Sequence, residues 1–471
     1  MSTDAEQKHR ISRHGIFHYA IGSLGTGGYN TLPGLVLVYY LTDTLGVAAL
    51  WAGLLVTVAK IWDVIIDPFI GASNDQSLRL RGTRLRPMLL GAIGLPILFV
   101  LTFSVIPGIS PFWSGVWVLI AFMLAAVGFS LYQVPYIALP AEITHGYDDR
   151  TRLLTWRVVV LTLAILIFGG GGPEIRDLVT NQTGNPYLGY TAMAGILALI
   201  IAGAMLWSLK VVPRGSVVAP EVSSAQRGSM REILRSGFNS YRLSWQALGR
   251  SAPFRNLWLA FAVQSLAIGL LLAVVQYVAV YILNTGVTVL FISLIAPALI
   301  FTPVWGRIAM RVGKEQSFVW ASLLFAFATL ATVFLIWAPG EWVYIPVIFA
   351  GIAFAGIQAL ALAMLPDAIS HDAEKHGEAQ AGVFSGAWTA GETTGLAFGA
   401  TILAIVLSIT GYIETVGSQV VTQPETAIVG IVIALSVIPA VLMLVSLLFF
   451  RRYSLRKEDI ERVSTDAQST Q

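Results

Sequence analysis

Lys60, Asp63 and Asp67 stand at i, i+3 and i+7 inside an otherwise apolar run. At ~100° per residue this spacing keeps all three on one helix face within about 60°, with the two carboxylates about 40° apart. Two hard oxygen donors that close together suit Na⁺, or a proton if one carboxylate raises its neighbour's affinity for it. The competing reading is an internal ion-pair network that ties helices together. An ionisable side chain in hydrocarbon costs roughly 2.5 to 3.5 kcal/mol on insertion scales, and intramembrane charges are by default functional, so function is the favoured reading.

Other polar residues sit in similar runs. Arg157, after Trp156, is expected to partner one of those carboxylates or to bind substrate through its fork of donors; a snorkelling interfacial arginine is the plainer alternative. Tyr132, Gln133 and Tyr136 flank Pro135, and their rings and amide suit stacking on and hydrogen-bonding a polyhydroxylated ligand, although a Tyr pair at i, i+4 equally serves helix packing. Further along, Trp388 and Glu392 are spaced i, i+4 with Thr389 and Thr393 beside them. Glu392 is the deepest carboxylate of that region and could carry a proton or cation, or be capped by the two threonines for packing. Asp367, His371 and Asp372 lie nearer a span end, where a gate or salt bridge is expected. No HExxH or comparable spacing surrounds His371, so no metal site is expected.

The elements that must hold these residues are membrane spans. The chain has 471 residues, 56% hydrophobic and only 12% charged, with 44 glycines, 13 tryptophans and no cysteine. That composition excludes an ordinary soluble domain, a thiolate metal centre and a disulfide scaffold. About twelve apolar stretches of span length begin near Gly15, Ala48, Pro87, Phe112, Thr151, Pro186, Arg255, Val287, Gln316, Trp342, Ala379 and Thr426. They are unbroken rather than alternating, so the expected class is an all-α membrane protein of twelve transmembrane helices in two six-helix halves. Of the 29 basic residues, all but Lys60 and Arg157 within spans and Arg176 outside fall on one side, which puts both termini in the cytoplasm of a multi-pass plasma-membrane protein. The polar segment Met1 to His14 precedes a full span and does not resemble a cleaved signal.

Hydrophobicity drops between Val212 and Ser251, where arginines accumulate, so residues 213–250 are expected to be a cytoplasmic linker between halves 1–212 and 251–452, with a cytoplasmic tail at 453–471. Asp67-Pro68-Phe69-Ile70-Gly71 and Thr302-Pro303-Val304-Trp305-Gly306 read as a repeat ending the second and eighth spans. Two equivalent halves are what a rocking transporter requires, with substrate near the midplane between them. Gly169 to Pro173 reads as a helix terminus and loop. No GxxxxGK[ST], GxSxG or haem-ligand pair occurs, which argues against an ATP-driven pump or a membrane enzyme.

At Ile61 to Gly71, followed by the basic turn through Arg86-Pro87, the chain resembles the glycoside–pentoside–hexuronide:cation symporter family of the major facilitator superfamily, which includes the melibiose permease. The resemblance continues in Val38 to Asp43, Val134-Pro135-Tyr136 with Ala138-Leu139, Tyr147 to Arg152, and Asp367 with the Gly377 to Gly399 segment. It implies symport of a sugar or glycoside with Na⁺, H⁺ or Li⁺, with Asp63 and Asp67 matching the cation-site carboxylates and Lys60 and Arg157 matching basic residues of that site. The acidic sugar-binding positions of the melibiose permease's first and fourth spans fall here on Gly27 and Gln133, and the lysine expected in the eleventh span is replaced in the Glu392-Thr393 neighbourhood. The same branch includes lysophospholipid transporters, so an amphiphile is the alternative substrate; a non-transporting receptor or structural membrane protein is the rival class. The expected partners are a small-molecule solute and the lipid bilayer, with no nucleic acid, no cofactor beyond the coupling cation, and a monomeric state.

Overall fold

The computed structural model describes residues 12–81, 83–143, 147–213, 242–243, 245–376, 381–419 and 421–455. The expected linker therefore lies largely outside the described residues. So do the tail beyond residue 455 and the side chains of residues 147–151.

Among the described residues thirteen long helices follow one another: α1 (Arg13–Asp43), α2 (Ala49–Arg81), α3 (Leu85–Thr102), α4 (Pro111–Ile143), α5 (Tyr147–Thr183), α6 (Pro186–Ser208), α7 (Ala252–Tyr281), α8 (Val287–Val312), α9 (Lys314–Ala331), α10 (Tyr344–His376), α11 (Ala381–Ile409), α12 (Glu425–Leu435) and α13 (Val437–Phe450). The last two form one span broken at Ser436, whose hydroxyl donates to the Val432 carbonyl. Among the described residues there is no strand, only an isolated bridge between Leu45 and Val416. Lipid offers backbone groups no partner, so each helix satisfies its own. The interior prolines, Pro68, Pro135 and Pro303 among them, sit within continuous helices.

Among the described residues, eleven of the twelve spans are long and apolar enough to cross a membrane by length and composition. The exception is α1, whose 31 residues include six glycines, four tyrosines, three threonines and a serine. Twenty of its residues are buried, against neighbouring helices rather than facing lipid.

The chain divides into two compact units, Met1–Phe238 with Glu414–Val420, and Asn239–Ile413 with Val421–Gln471. Within the first, α1 packs on α5 and α6, α2 on α4, α3 on α4 and α6, and α5 on α6. Within the second, α7 packs on α11 and α13, α8 on α10, α9 on α10 and α13, and α11 on α12. Each pairing of the first unit recurs six spans later in the second, so the duplication hinted at by the two Pro-Gly segments extends to the whole packing plan. Small residues make the close approaches, as expected where lipid supplies no hydrophobic drive. A Cβ on Gly399 of α11 would lie 2.2 Å from the Leu270 backbone nitrogen of α7. Polar ties reinforce them: Gln264 Nε2 of α7 donates to Ser322 Oγ of α9 and Ser446 Oγ of α13.

Two local expectations are corrected. Gly169 to Pro173 is no terminus, because α5 runs through it to Thr183; Gly172 instead lets α5 close on Leu32 of α1, where a Cβ would meet Leu32 Cδ1 at 2.6 Å. Arg176 is consequently not in an external loop. It is 5% exposed within α5, paired with Asp177 at 2.7 Å, donating to the Tyr190 hydroxyl at 3.3 Å and lying over the Tyr39 and Tyr190 rings. The apolar part of the second span does end at Gly71, but its helix continues ten residues further to Arg81.

Candidate functional site

The α2–α4 pairing brings Ser130 against the face that carries the two carboxylates. Ser130 Oγ lies 2.5 Å from Asp67 Oδ1 and 3.4 Å from Asp63 Oδ1. A hydroxyl has one hydrogen to give, and the shorter contact takes it. Asp63 is 6% exposed, and that long contact is its one hydrogen-bonding contact among the described residues. Lys60 does not come within ion-pair distance of either carboxylate. Its ammonium instead lies 5.6 Å from the centroids of both Tyr29 and Phe122, a cation–π arrangement. The Tyr29 hydroxyl is buried without a partner. Two carboxylates, one serine oxygen and an unpartnered phenol thus lie in the first unit with a single nearby ammonium, too little positive charge to balance both carboxylates.

Arg157 does not partner either carboxylate. Its guanidinium lies 5.7 Å from the Tyr136 ring centroid, and Nε is buried without a hydrogen bond. Tyr132 and Tyr136 are fully buried and stacked on each other at 5.3 Å. The Tyr132 hydroxyl is 2.5 Å from Ser208 Oγ, and that of Tyr136 lies 2.8 Å from Ser23 Oγ and donates to the Tyr19 carbonyl at 2.7 Å. With no free hydroxyl and no exposed ring, these two tyrosines join α4 to α1 and α6, so the sequence expectation that they stack on a ligand gives way to packing. Gln133, between them, is turned differently: it is part-exposed and its Oε1 has no partner. Gly27 packs on α5, where a Cβ would fall 2.9 Å from Ala164 Cβ. An acidic side chain would have to displace that helix.

In the second unit, Gln358 of α10 donates through Nε2 to Glu392 Oε1 of α11 at 3.4 Å, while Gln358 Oε1 is unpartnered. Glu392 meets no cationic side chain within ion-pair distance among the described residues, and no bond from Thr389 or Thr393 caps it. Trp388 is 2% exposed, stacked on Phe261 at 4.3 Å with its indole Nε1 unpartnered; Thr393 is part-exposed.

Asp367 accepts from Lys314 Nζ at 2.6 Å, a salt bridge between α10 and the start of α9. Asp372 is held by Arg250 and has His376 Nδ1 at 3.2 Å. His371 is part-exposed and forms no ion pair among the described residues. Sequence reasoning missed Ser130, Tyr29, Gln358, Lys314 and Arg250, because each acquires its role only through the register of one helix on another.

Comparison with known proteins agrees with this architecture. The inner membrane symporter YicJ of Escherichia coli is 24% identical over 425 residues, covering 89% of this chain and 86% of that one. The glucuronide carrier protein homolog of Escherichia coli is 26% identical, covering 96% and 95% respectively. For the fold alone, the crystal structure of a bacterial homolog of the human lysosomal transporter Spinster superposes with a TM-score of 0.65 at 13% identity, covering 94% of this chain and 98% of that one. A family model described as MFS/sugar transport protein matches residues 18–457, which bears out the resemblance read from the double-aspartate segment. The protein is therefore a multi-pass membrane transporter and not an enzyme, and it belongs to the MFS/sugar transport protein family.

Proposed function

We propose that this transporter is a cation-coupled symporter for a sugar or glycoside, working by alternating access in the plasma membrane with both termini cytoplasmic. The observation that carries the reading is the under-satisfied pair Asp63 and Asp67, two carboxylates with one serine hydrogen between them and no ion-paired lysine. Leaving such charges in a low dielectric is costly. A bound Na⁺ accepting oxygens from both, or a shared proton, removes that cost, so ion occupancy licenses the change between inward- and outward-facing forms. Ser130 and Tyr29 supply additional oxygens. Gln133 and Arg157 in the first unit, and Gln358, Trp388, Glu392 and Thr393 in the second, supply hydroxyl-recognising donors and acceptors. The sugar class is supported by the family's description and by relatives named as a glucuronide carrier and a symporter.

Purified protein in vesicles with an imposed Na⁺ or H⁺ gradient, offered a panel of sugars, glycosides and lysolipids, tests this. Accumulation of a sugar or glycoside that depends on one gradient is the expected result. Accumulation of lysolipids alone would move the substrate to amphiphiles, and no accumulation of any solute would favour a receptor. Labelling of a cysteine introduced at Ser223 by an impermeant thiol reagent added outside cells would refute the orientation.

A further inference from the structure

The second unit holds a cavity of about 450 Å³ that neither the carboxylate pair nor the Gln358–Glu392 contact uses, and every residue lining it belongs to that unit. Its size falls in the range of ligand sites. The walls are apolar and built largely from small residues, Gly306 and Ala309 of α8 with Ala359 and Ala363 of α10. The rim lies where spans stop: the apolar stretches end at Val312 in α8 and Phe450 in α13, and that of α9 begins at Lys314. There the lining turns polar, with Lys314, Glu315, Asp367 and Tyr453. The Lys314 ammonium has three hydrogens; one goes to Asp367 Oδ2 at 2.6 Å and one to the Ala363 carbonyl at 3.0 Å, leaving the third for a ligand. The Tyr453 hydroxyl is buried without a hydrogen-bond partner. Its ring is held in place, stacked on Phe450 at 5.3 Å, which packs in turn on Phe318 of α9 at 4.6 Å. Burial and the nearby Asp367 and Glu315 carboxylates push this phenol above its usual range, so it stays a donor. The Glu315 carboxylate lies over the turn between α8 and α9, where Gly313 has a φ of +98° and a Cβ would stand 3.2 Å from either carboxylate oxygen. The rim thus carries two carboxylates against one ammonium, and neither Arg307 nor Arg311 of α8 lines it.

We propose that this cavity binds one zwitterionic phospholipid whose head group ends in a primary ammonium, of the phosphatidylethanolamine kind. An acyl chain lies along the glycine and alanine walls, and the head group sits on the rim at the level where span ends meet lipid head groups. The phosphate accepts from the Tyr453 hydroxyl and from the third hydrogen of Lys314, so the buried phenol gains the acceptor it otherwise lacks, an absence that is costly. The ammonium donates to the Asp367 and Glu315 carboxylates. A purely anionic head group would add negative charge to a rim that already has an excess of it, and a choline head group has no N–H to give those carboxylates. The leaflet is the cytoplasmic one under the charge-based orientation, and the site does not depend on which solute is transported.

The full chain, purified in detergent and stripped of lipid, tests this when titrated with phosphatidylethanolamine, phosphatidylcholine and phosphatidylglycerol of identical acyl chains, with bound lipid counted by native mass spectrometry. One phosphatidylethanolamine per chain is expected, held at least about tenfold more tightly than the other two, as one or more hydrogen bonds to a charged group would give. Tyr453→Phe removes only the hydroxyl and should weaken that binding about tenfold, while Ala309→Phe fills the cavity and should abolish it, each with thermal unfolding close to that of the wild type. Equal retention of the three lipids, no retained lipid at all, or unchanged phosphatidylethanolamine binding in Tyr453→Phe would overturn the proposal. Displacement of the bound lipid by equimolar lysophosphatidylcholine would make the cavity part of an amphiphile's transport path and overturn it as well. Should Ala309→Phe fail to fold, the Tyr453→Phe titration decides.

Discussion

The same turn of helix carries different chemistry in the two units. Ahead of Pro68, α2 has Asp63 and Asp67; ahead of Pro303 at matching positions, α8 has Ala298 and Thr302. Thr302 is self-sufficient, its hydroxyl donating to the Ala298 carbonyl at 2.6 Å within its own helix. Asp63 and Asp67 depend on Ser130 across a helix pair and remain short of donors. The packing plan is duplicated and the charges are not. What the architecture needs for helix contact is present twice, so the pair Asp63 and Asp67, present once, is not demanded by the architecture.

That contrast can be broken at several points. The largest effect on transport is expected from Asp63→Asn or Asp67→Asn. Gradient-driven accumulation should fall on the order of 100-fold, about 2.7 kcal/mol, while substrate exchange across equilibrated vesicles falls less than about tenfold. Arg250→Ala should act on stability instead, since it leaves the buried Asp372 carboxylate without its guanidinium. A loss of about 3 kcal/mol is expected, read as earlier thermal unfolding in detergent, with Arg250→Lys recovering part of it. Ser130→Ala removes a hydrogen bond to a charged acceptor worth about 1.5 kcal/mol. The cation concentration giving half-maximal transport should therefore shift about tenfold while the maximal rate is kept. The smallest effect is reserved for the silent counterpart: Thr302→Ala should leave uptake within about twofold, and a loss comparable to that of Asp67→Asn would dissolve the comparison.

The all-helical membrane fold was legible in the sequence because it follows from composition and from long unbroken apolar runs. The character of Gly169 to Pro173 was not. Glycine and proline signal turns in water, but in lipid the same residues allow close packing inside an unbroken helix, as Gly172 does on Leu32. Tyr132 and Tyr136 were misleading for a related reason. A phenol at i, i+4 looks the same in the sequence whether its hydroxyl meets a ligand or, as here, Ser208 and Ser23 on neighbouring helices. Ser130 and Gln358 were invisible because no pattern along one helix encodes which residue of the next will face it.

If the cation travels on Asp63 and Asp67, substrate-driven ion flux depends on those two carboxylates. In vesicles without an initial ion gradient, an inward gradient of the transported solute should drive Na⁺ or H⁺ inward through the wild type, followed by tracer Na⁺ or an internal pH dye. The Asp63→Asn/Asp67→Asn variant should retain solute exchange yet carry no ion. Undiminished substrate-driven entry of the same ion through that double variant would contradict the account.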